Sequence, residues 1–350
     1  MSTVITAPKP GKPWTATPKQ RLVTAGIYLL AAAISFAIVA ITPMKGKLAY
    51  FAIFFFASLL IDFIISYSQR GKASAKDAIA RGFVSVGMTL AVLPIFSILF
   101  EVGKRGFKGL NFNLFTKDMS LTSVNDPLGN GGLIHAITGT VIMVAIALVV
   151  AMPIGILTAI YLTEIRGKFA APIKFLVQAM SGVPSIVAGL FILSAYVYPI
   201  TGALSGFAGS LALMILMIPT IARTSEEVLL LIPSDLREAG VALGGTQWRT
   251  VALVVVPAAK SGLVTALILG IARVAGETAP LVLLTGGGEK VNLNPFEGPM
   301  GSLPIYIWKC FGQGTEESIA RAWSGILVLL VIVLALFTMA RFLSERKVKK

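Results

Sequence analysis

Eight stretches of mainly apolar residues, at 21–42, 47–68, 82–102, 133–162, 173–198, 207–231, 261–284 and 322–343, constrain this chain more than any other feature. About 20 such residues reach across a hydrocarbon core of about 30 Å as a helix. Lipid offers the backbone no hydrogen-bond partners, so spans of this length must satisfy their own amides as helices. The chain therefore reads as an all-α integral membrane protein of about eight transmembrane helices. The composition agrees, with 56% hydrophobic residues, 13% charged residues and mean hydropathy +0.85.

The net charge of +14 would suit nucleic acid if it were clustered on a soluble domain, but its distribution follows a membrane. With the N-terminus placed inside, 20 of the 30 Lys and Arg fall on inner segments and 9 on outer loops, and Arg273 is left within a span. This bias predicts both termini in the cytoplasm of a multi-pass cell-membrane protein, in contact with lipid and not with nucleic acid. Residues 1–20, basic and rich in Pro, read as a disordered cytoplasmic leader, and the first run lacks a small-residue cleavage site and reads as an uncleaved anchor. Residues 21–75 form an aromatic transmembrane hairpin whose one acidic residue in a span, Asp62, is expected to snorkel or to be protonated in the bundle.

Between the sixth and seventh runs lies a polar island that a purely spanning protein does not need. Asp235 and Glu238 are spaced as an N-cap and its returning carboxylate, and Gly244 and Gly245 stop the helix, which predicts a short helix at 235–244. Leu236, Ala239, Gly240 and Leu243 recur at helical spacing, so this helix would offer a small apolar face to a partner. The segment Glu238-Ala-Gly-Val-Ala-Leu-Gly244, followed after nine residues by Val-Val-Val-Pro257, resembles the coupling motif of ABC importer permeases, with Gly240 in place of the second Ala. In that family the helix docks into a cytoplasmic ATPase, so the resemblance assigns Glu238, Ala239, Gly240, Gly244 and Pro257 to ATPase coupling.

A more specific resemblance runs from about residue 76. AMPIGILTAIYLTEIRGK (151–168), SGVPSIVAGLF (181–191), PTIARTSEEVLLLIPSDLREAGVALGGTQWRT (219–250), IARVAGETAPLVLLTG (271–286) and NPFEGPMGSLPIYIW (294–308) resemble, in order, the permease of the phosphate-specific ABC importer, PstA type. The resemblance implies a six-helix type I importer core at 76–345, with 21–75 as an addition. It also implies a second permease subunit (PstC type), two ATP-binding subunits (PstB type) and an extracytoplasmic phosphate-binding protein (PstS type), which the outer loops 103–132 and 285–321 are long enough to touch.

Arg273 and Glu277 lie four apart in the seventh run and are expected to share one helix face turned to the protein interior or a wet pathway. Two readings stay open. The pair is an ion pair that locks the bundle, or Arg273 presents a planar, permanently charged fork to an oxyanion while Glu277 competes for it beside Thr278. Gly276 and Pro280 allow the helix to bend or break there. Arg223 near the inner end of the sixth run is an interfacial cation by itself, and the resemblance makes it, with Arg273, a phosphate-passage residue. Glu226 and Glu227 are expected in salt bridges, Ser181 to Ser185 in close helix packing, and Thr163, Glu164 and Arg166 in a solvated turn.

His135 is the sole histidine, which leaves no histidine-paired nucleophile or multi-histidine metal site. Cys310 has no partner for a disulfide and reads as a packing residue. The Gly run at 286–288 is not followed by Gly-Lys-Ser/Thr, so the chain carries no P-loop, no catalytic residue and no cofactor of its own, and ATP with Mg belongs to partner subunits. The rival readings are a permease for molybdate or sulfate, and a scaffold that reports phosphate status to a sensor kinase.

Overall fold

The computed structural model describes residues 18–42 and 46–345. The leader expected at 1–20 therefore lies almost wholly outside the described residues. Six described helices are long and apolar enough to cross a membrane, and up to eight spans result if each of two bent helix pairs counts as one. The described backbone is helical, with one isolated bridge between Gly286 and Met300.

Its contacts divide at Ile98, farther along than the motif-based division at 75. The first unit holds α1 (Pro18–Ile41) and most of α2 (Lys47–Gly106), whose helix is interrupted at Gly71 and whose last turns, from Leu99, belong to the second unit. The backbone there, with φ 77° and ψ −171°, is non-helical and open to Gly, so 47–70 and 72–106 are two helices in one continuous run. Tyr28 meets Phe54, Phe36 meets Tyr50, and Phe55 meets Phe83. Asp62 neither snorkels free nor sits alone: Arg81 approaches it at 3.4 Å and the Ser66 hydroxyl donates to it at 3.4 Å.

The second unit begins its bundle with α3 (Ile134–Ile160), which runs on as a π-helical turn over Tyr161–Ile165. Then come α4 (Ala170–Ser181), α5 (Ser185–Ile192), α6 (Gly206–Leu230), α7 (Ser234–Ala242) and α8 (Gln247–Thr250). The unit closes with α9 (Val256–Ala258), α10 (Lys260–Ala275), α11 (Ala279–Leu284), α12 (Leu303–Gln313) and α13 (Glu316–Glu345). Helix α6 is the centre of this unit. Its Ile221 wedges between Gly155 of α3 and Gly270 of α10, where an added Cβ would come within 2.7 and 2.8 Å of that side chain. Glycine there lets three backbones approach, which is how helices gain packing energy where lipid removes the hydrophobic drive between them. Met143, Ala147, Leu213, Leu216, Met217, Val274 and Leu281 fill the adjoining core.

Two of the apolar runs are broken, the seventh at the place where Gly276 and Pro280 allow it. The fifth run bends by 103° between α4 and α5, at Ser181-Gly-Val-Pro-Ser185, because Pro184 takes an extended conformation with ψ 138°. The small residues there make a bend as well as packing. The seventh run stops at Ala275 and restarts at Ala279, and α10 is itself turned 72° from the segment at 247–258.

At the end away from α7, the segments 103–132 and 285–321 are folded against each other and against the bundle. Leu114, Met119, Leu133, Leu303, Tyr306 and Cys310 form one buried cluster. Buried Arg321, 1% exposed, donates from Nη2 to the carbonyls of Asp126, Pro127 and Asn130. The 285–321 stretch is thus a packed cap that includes α12, not a free loop. Cys310 is a packing residue as expected, and burial pushes its thiol up to about 11.

Candidate functional site

Helices α6 and α10 carry the charges of the candidate site. Arg273 extends from the last turn of α10, and its Nη1 donates to Thr220 Oγ1 at 2.8 Å. The Thr220 hydroxyl in turn reaches the Leu216 carbonyl of its own helix at 3.4 Å, which leaves its oxygen turned toward the guanidinium. Thr220 and Arg223 are three residues apart on α6 and so lie on the same side of that helix. The structure therefore brings Arg223 and Arg273 to neighbouring positions. Both are exposed in the single chain, facing out of it and not into its core, and the Arg223 side chain makes no hydrogen bond or ion pair with a described residue.

The one-face expectation for Arg273 and Glu277 is corrected here. Because α10 ends at Ala275, Glu277 sits in the break, its amide donating to the Val274 carbonyl at 3.1 Å, and no ion pair joins it to Arg273 among the described residues. Thr278 opens α11, accepting from the Val282 amide at 3.0 Å, with no side-chain cap bond. Arg273 is thus held by a neutral hydroxyl, and its charge is not cancelled by a neighbouring carboxylate. Thr220 was missed by sequence reasoning, although its place one turn before Arg223 in a charged stretch of an apolar run is a signal.

The polar island forms α7, with no residue buried. It starts at Ser234 behind Pro233 and has no side-chain cap, so Asp235 lies in the first turn and is not the N-cap. Leu243 closes it, and Gly244 takes φ 79°, the left-handed conformation that stops a helix cheaply only at Gly. The expected small face is split. Leu236, Ala239 and Leu243 are exposed, Leu243 at 91%, whereas Gly240 lies against Thr250, where an added Cβ would stand 2.5 Å from Thr250 Cγ2. Glu238 and Pro257 are exposed, Pro257 in α9 after the π-helical turn at Val251–Val255.

What anchors α7 is Arg237. Its Nε and Nη2 donate to the two oxygens of Glu164 at 2.9 and 2.8 Å, Nη1 to the Ile232 carbonyl at 2.6 Å, and Nη2 to the Leu229 carbonyl at 2.9 Å. The carboxylate bonds outweigh burial and raise the Arg237 pKa. Gln247 Nε2 adds a bond to the Glu164 carbonyl at 2.6 Å. The turn at Thr163 and Glu164 is therefore not solvated: Thr163 is buried and the Glu164 side chain is 5% exposed. Glu226 does form the expected bridge, to Lys174 at 2.8 Å.

A helical bundle with broken spans, a mid-span guanidinium and an unburied helix between two spans defines a membrane transport subunit. The model of the family described as "binding-protein-dependent transport system inner membrane component" matches residues 151–349, and the chain belongs to this family. The fold agrees with a crystal structure of the MetNI methionine ABC transporter in inward-facing conformations, at TM-score 0.51 and 22% identity over 62% of this chain and 96% of that one. Among curated relatives, "Phosphate transport system permease protein PstA 1" of Mycobacterium tuberculosis is 36% identical over 276 residues, 78% of this chain and 90% of the relative. The PstA proteins of Mycobacterium leprae (38% over 277 residues) and Haemophilus influenzae (34% over 268) cover 90% and 93% of their own lengths. The chain is thus a multi-pass membrane subunit of an ABC transporter, of the type I permease fold, with six to eight candidate spans.

Proposed function

We propose that this chain is one of two permease subunits of an importer that moves inorganic phosphate across the cytoplasmic membrane by alternating access. The observation that carries this reading is the tether of Arg273 to Thr220 beside Arg223. Two permanently charged forks on an open face of α6 and α10 suit an oxyanion, and a face open in one chain is one a second permease subunit completes. The relatives named as phosphate transport permeases supply the choice of oxyanion. Glu277 and Thr278, in the break beside Arg273, complete the passage.

ATP is hydrolysed by two partner subunits that carry the ATP and Mg sites, and they engage α7 through Leu236, Ala239, Leu243 and the turn at Gly244. An extracytoplasmic phosphate-binding protein delivers the ion at the cap end, and both termini lie in the cytoplasm. Uptake of labelled phosphate, with molybdate and sulfate as competitors, tests the reading in cells with and without this chain. Loss of uptake on deletion, with weak competition, is expected; unchanged phosphate uptake, or equal competition by either ion, overturns it.

A further inference from the structure

Helix α7 must pass force to the bundle through something, yet it buries no residue. Its close backbone neighbours are α8 and the π-helical turn at Val251–Val255, both on its own polar island. The side-chain hydrogen bonds from α7 itself to α3 and α6 are those of Arg237, while the π-helical turn packs Val251 and Val255 with Ala159 and Ile160 of α3 and Leu229 of α6. That guanidinium takes both Glu164 oxygens at the end of α3 and the carbonyls of Leu229 and Ile232 at the end of α6. Leu229 lies in the last turn of α6, where a cation is favoured, and Ile232 follows just past its C-cap Leu231. Gln247 ties the far side of the island to the Glu164 backbone. One fork thus joins three elements, and the carboxylate it meets is 5% exposed.

We infer that Arg237 is the positioning residue through which α7 drives the bundle: a displacement of α7 moves the end of α6, and with it Arg223, together with the end of α3. This rests on the docking of an ATPase on α7. A planar fork is required, because an ammonium ion cannot hold two carboxylate oxygens and two carbonyls in fixed directions. Glu164 is the matching anchor, and removing either partner alone leaves the other charge poorly paired.

The test uses the complete transporter in proteoliposomes, with ATPase retention, ATP hydrolysis and phosphate uptake measured on the same preparation. Arg237→Lys and the charge-balanced pair Glu164→Gln with Arg237→Gln are expected to retain the ATPase subunits and to hydrolyse ATP. Uptake per ATP should fall by about tenfold, within the ordinary range of coupling between sites. A readout that does not depend on the cargo is the labelling of Glu227→Cys, at the exposed end of α6, by a charged thiol reagent with and without ATP. ATP should change the labelling rate when Arg237 is intact and not in the charge-balanced pair. Wild-type uptake per ATP in both variants, an ATP response that persists in the pair, or no ATP response with Arg237 intact overturns the inference. Loss of the ATPase subunits from both variants also overturns it, since Arg237 would then serve assembly alone. If the intact complex carries no phosphate, the proposed cargo falls, while the labelling still decides the role of Arg237.

Discussion

At the scale of single residues, the decisive contact is a hydroxyl on a cation. Thr220 holds Arg273 without neutralising it, and in the proposed passage an anion would meet a guanidinium already oriented. Thr220→Val keeps the shape and removes the acceptor. Losing a hydrogen bond to a charged group costs about 1.5 kcal/mol or more, so the KM for phosphate uptake should rise by about tenfold with Vmax less affected. Thr220→Ser should restore the KM, and a Val variant with unchanged KM would show that the tether plays no part. Arg223 and Arg273 were legible in the sequence because a cation in an apolar run has few excuses. Thr220 was not, since a threonine inside a helix is ordinary and its partner lies 53 residues away. Glu164 was misread for the same reason: its local context is that of a turn, and its partner is 73 residues farther on.

At the scale of elements, the apolar runs gave the spans but not their continuity. Glycine and proline within a run are compatible with packing, bending or breaking, and only neighbours decide among these. The short helix α7 was legible because its stop is a backbone requirement, and that requirement is testable. Gly244 holds φ 79°, where an L side chain costs roughly 1–2 kcal/mol. Gly244→Asp adds that strain and a charge to the exposed turn, so co-purification of the ATPase subunits should drop, and normal retention would count against docking at this helix. The cap at the other end has its own pH limit. Asp118 accepts from the Ser120 hydroxyl and amide at 2.7 and 3.1 Å and from the Val291 amide at 3.2 Å. Burial raises its pKa, but these bonds outweigh burial and leave the group below its usual range. A depressed folded pKa means the contribution to stability is present above the unfolded value, about 3.9, and is lost as pH falls through the folded one. Hydrogen-exchange protection at Val291 should therefore hold at neutral pH and fall in strong acid, and Asp118→Asn should remove that dependence. Protection that falls equally in the variant would assign the loss to another group.

At the scale of the whole molecule, the chain carries more than its relatives. The Haemophilus influenzae relative is matched over 93% of its length by 76% of this chain. The family motifs begin near 76, after the interruption at Gly71, and the residues before it make their described ring contacts with one another and with Phe83. A chain started at Gly71 behind an initiating Met loses two spans, which keeps the parity of the remainder. Lys72, Lys76 and Arg81 stay at its new inner end, so the positive-inside bias still directs the same orientation. Phosphate uptake per molecule of assembled transporter should match that of the full chain. Uptake lost while assembly and orientation persist would make the N-terminal unit part of the transport path, whereas uptake kept with an altered phosphate response in gene expression would assign it to signalling.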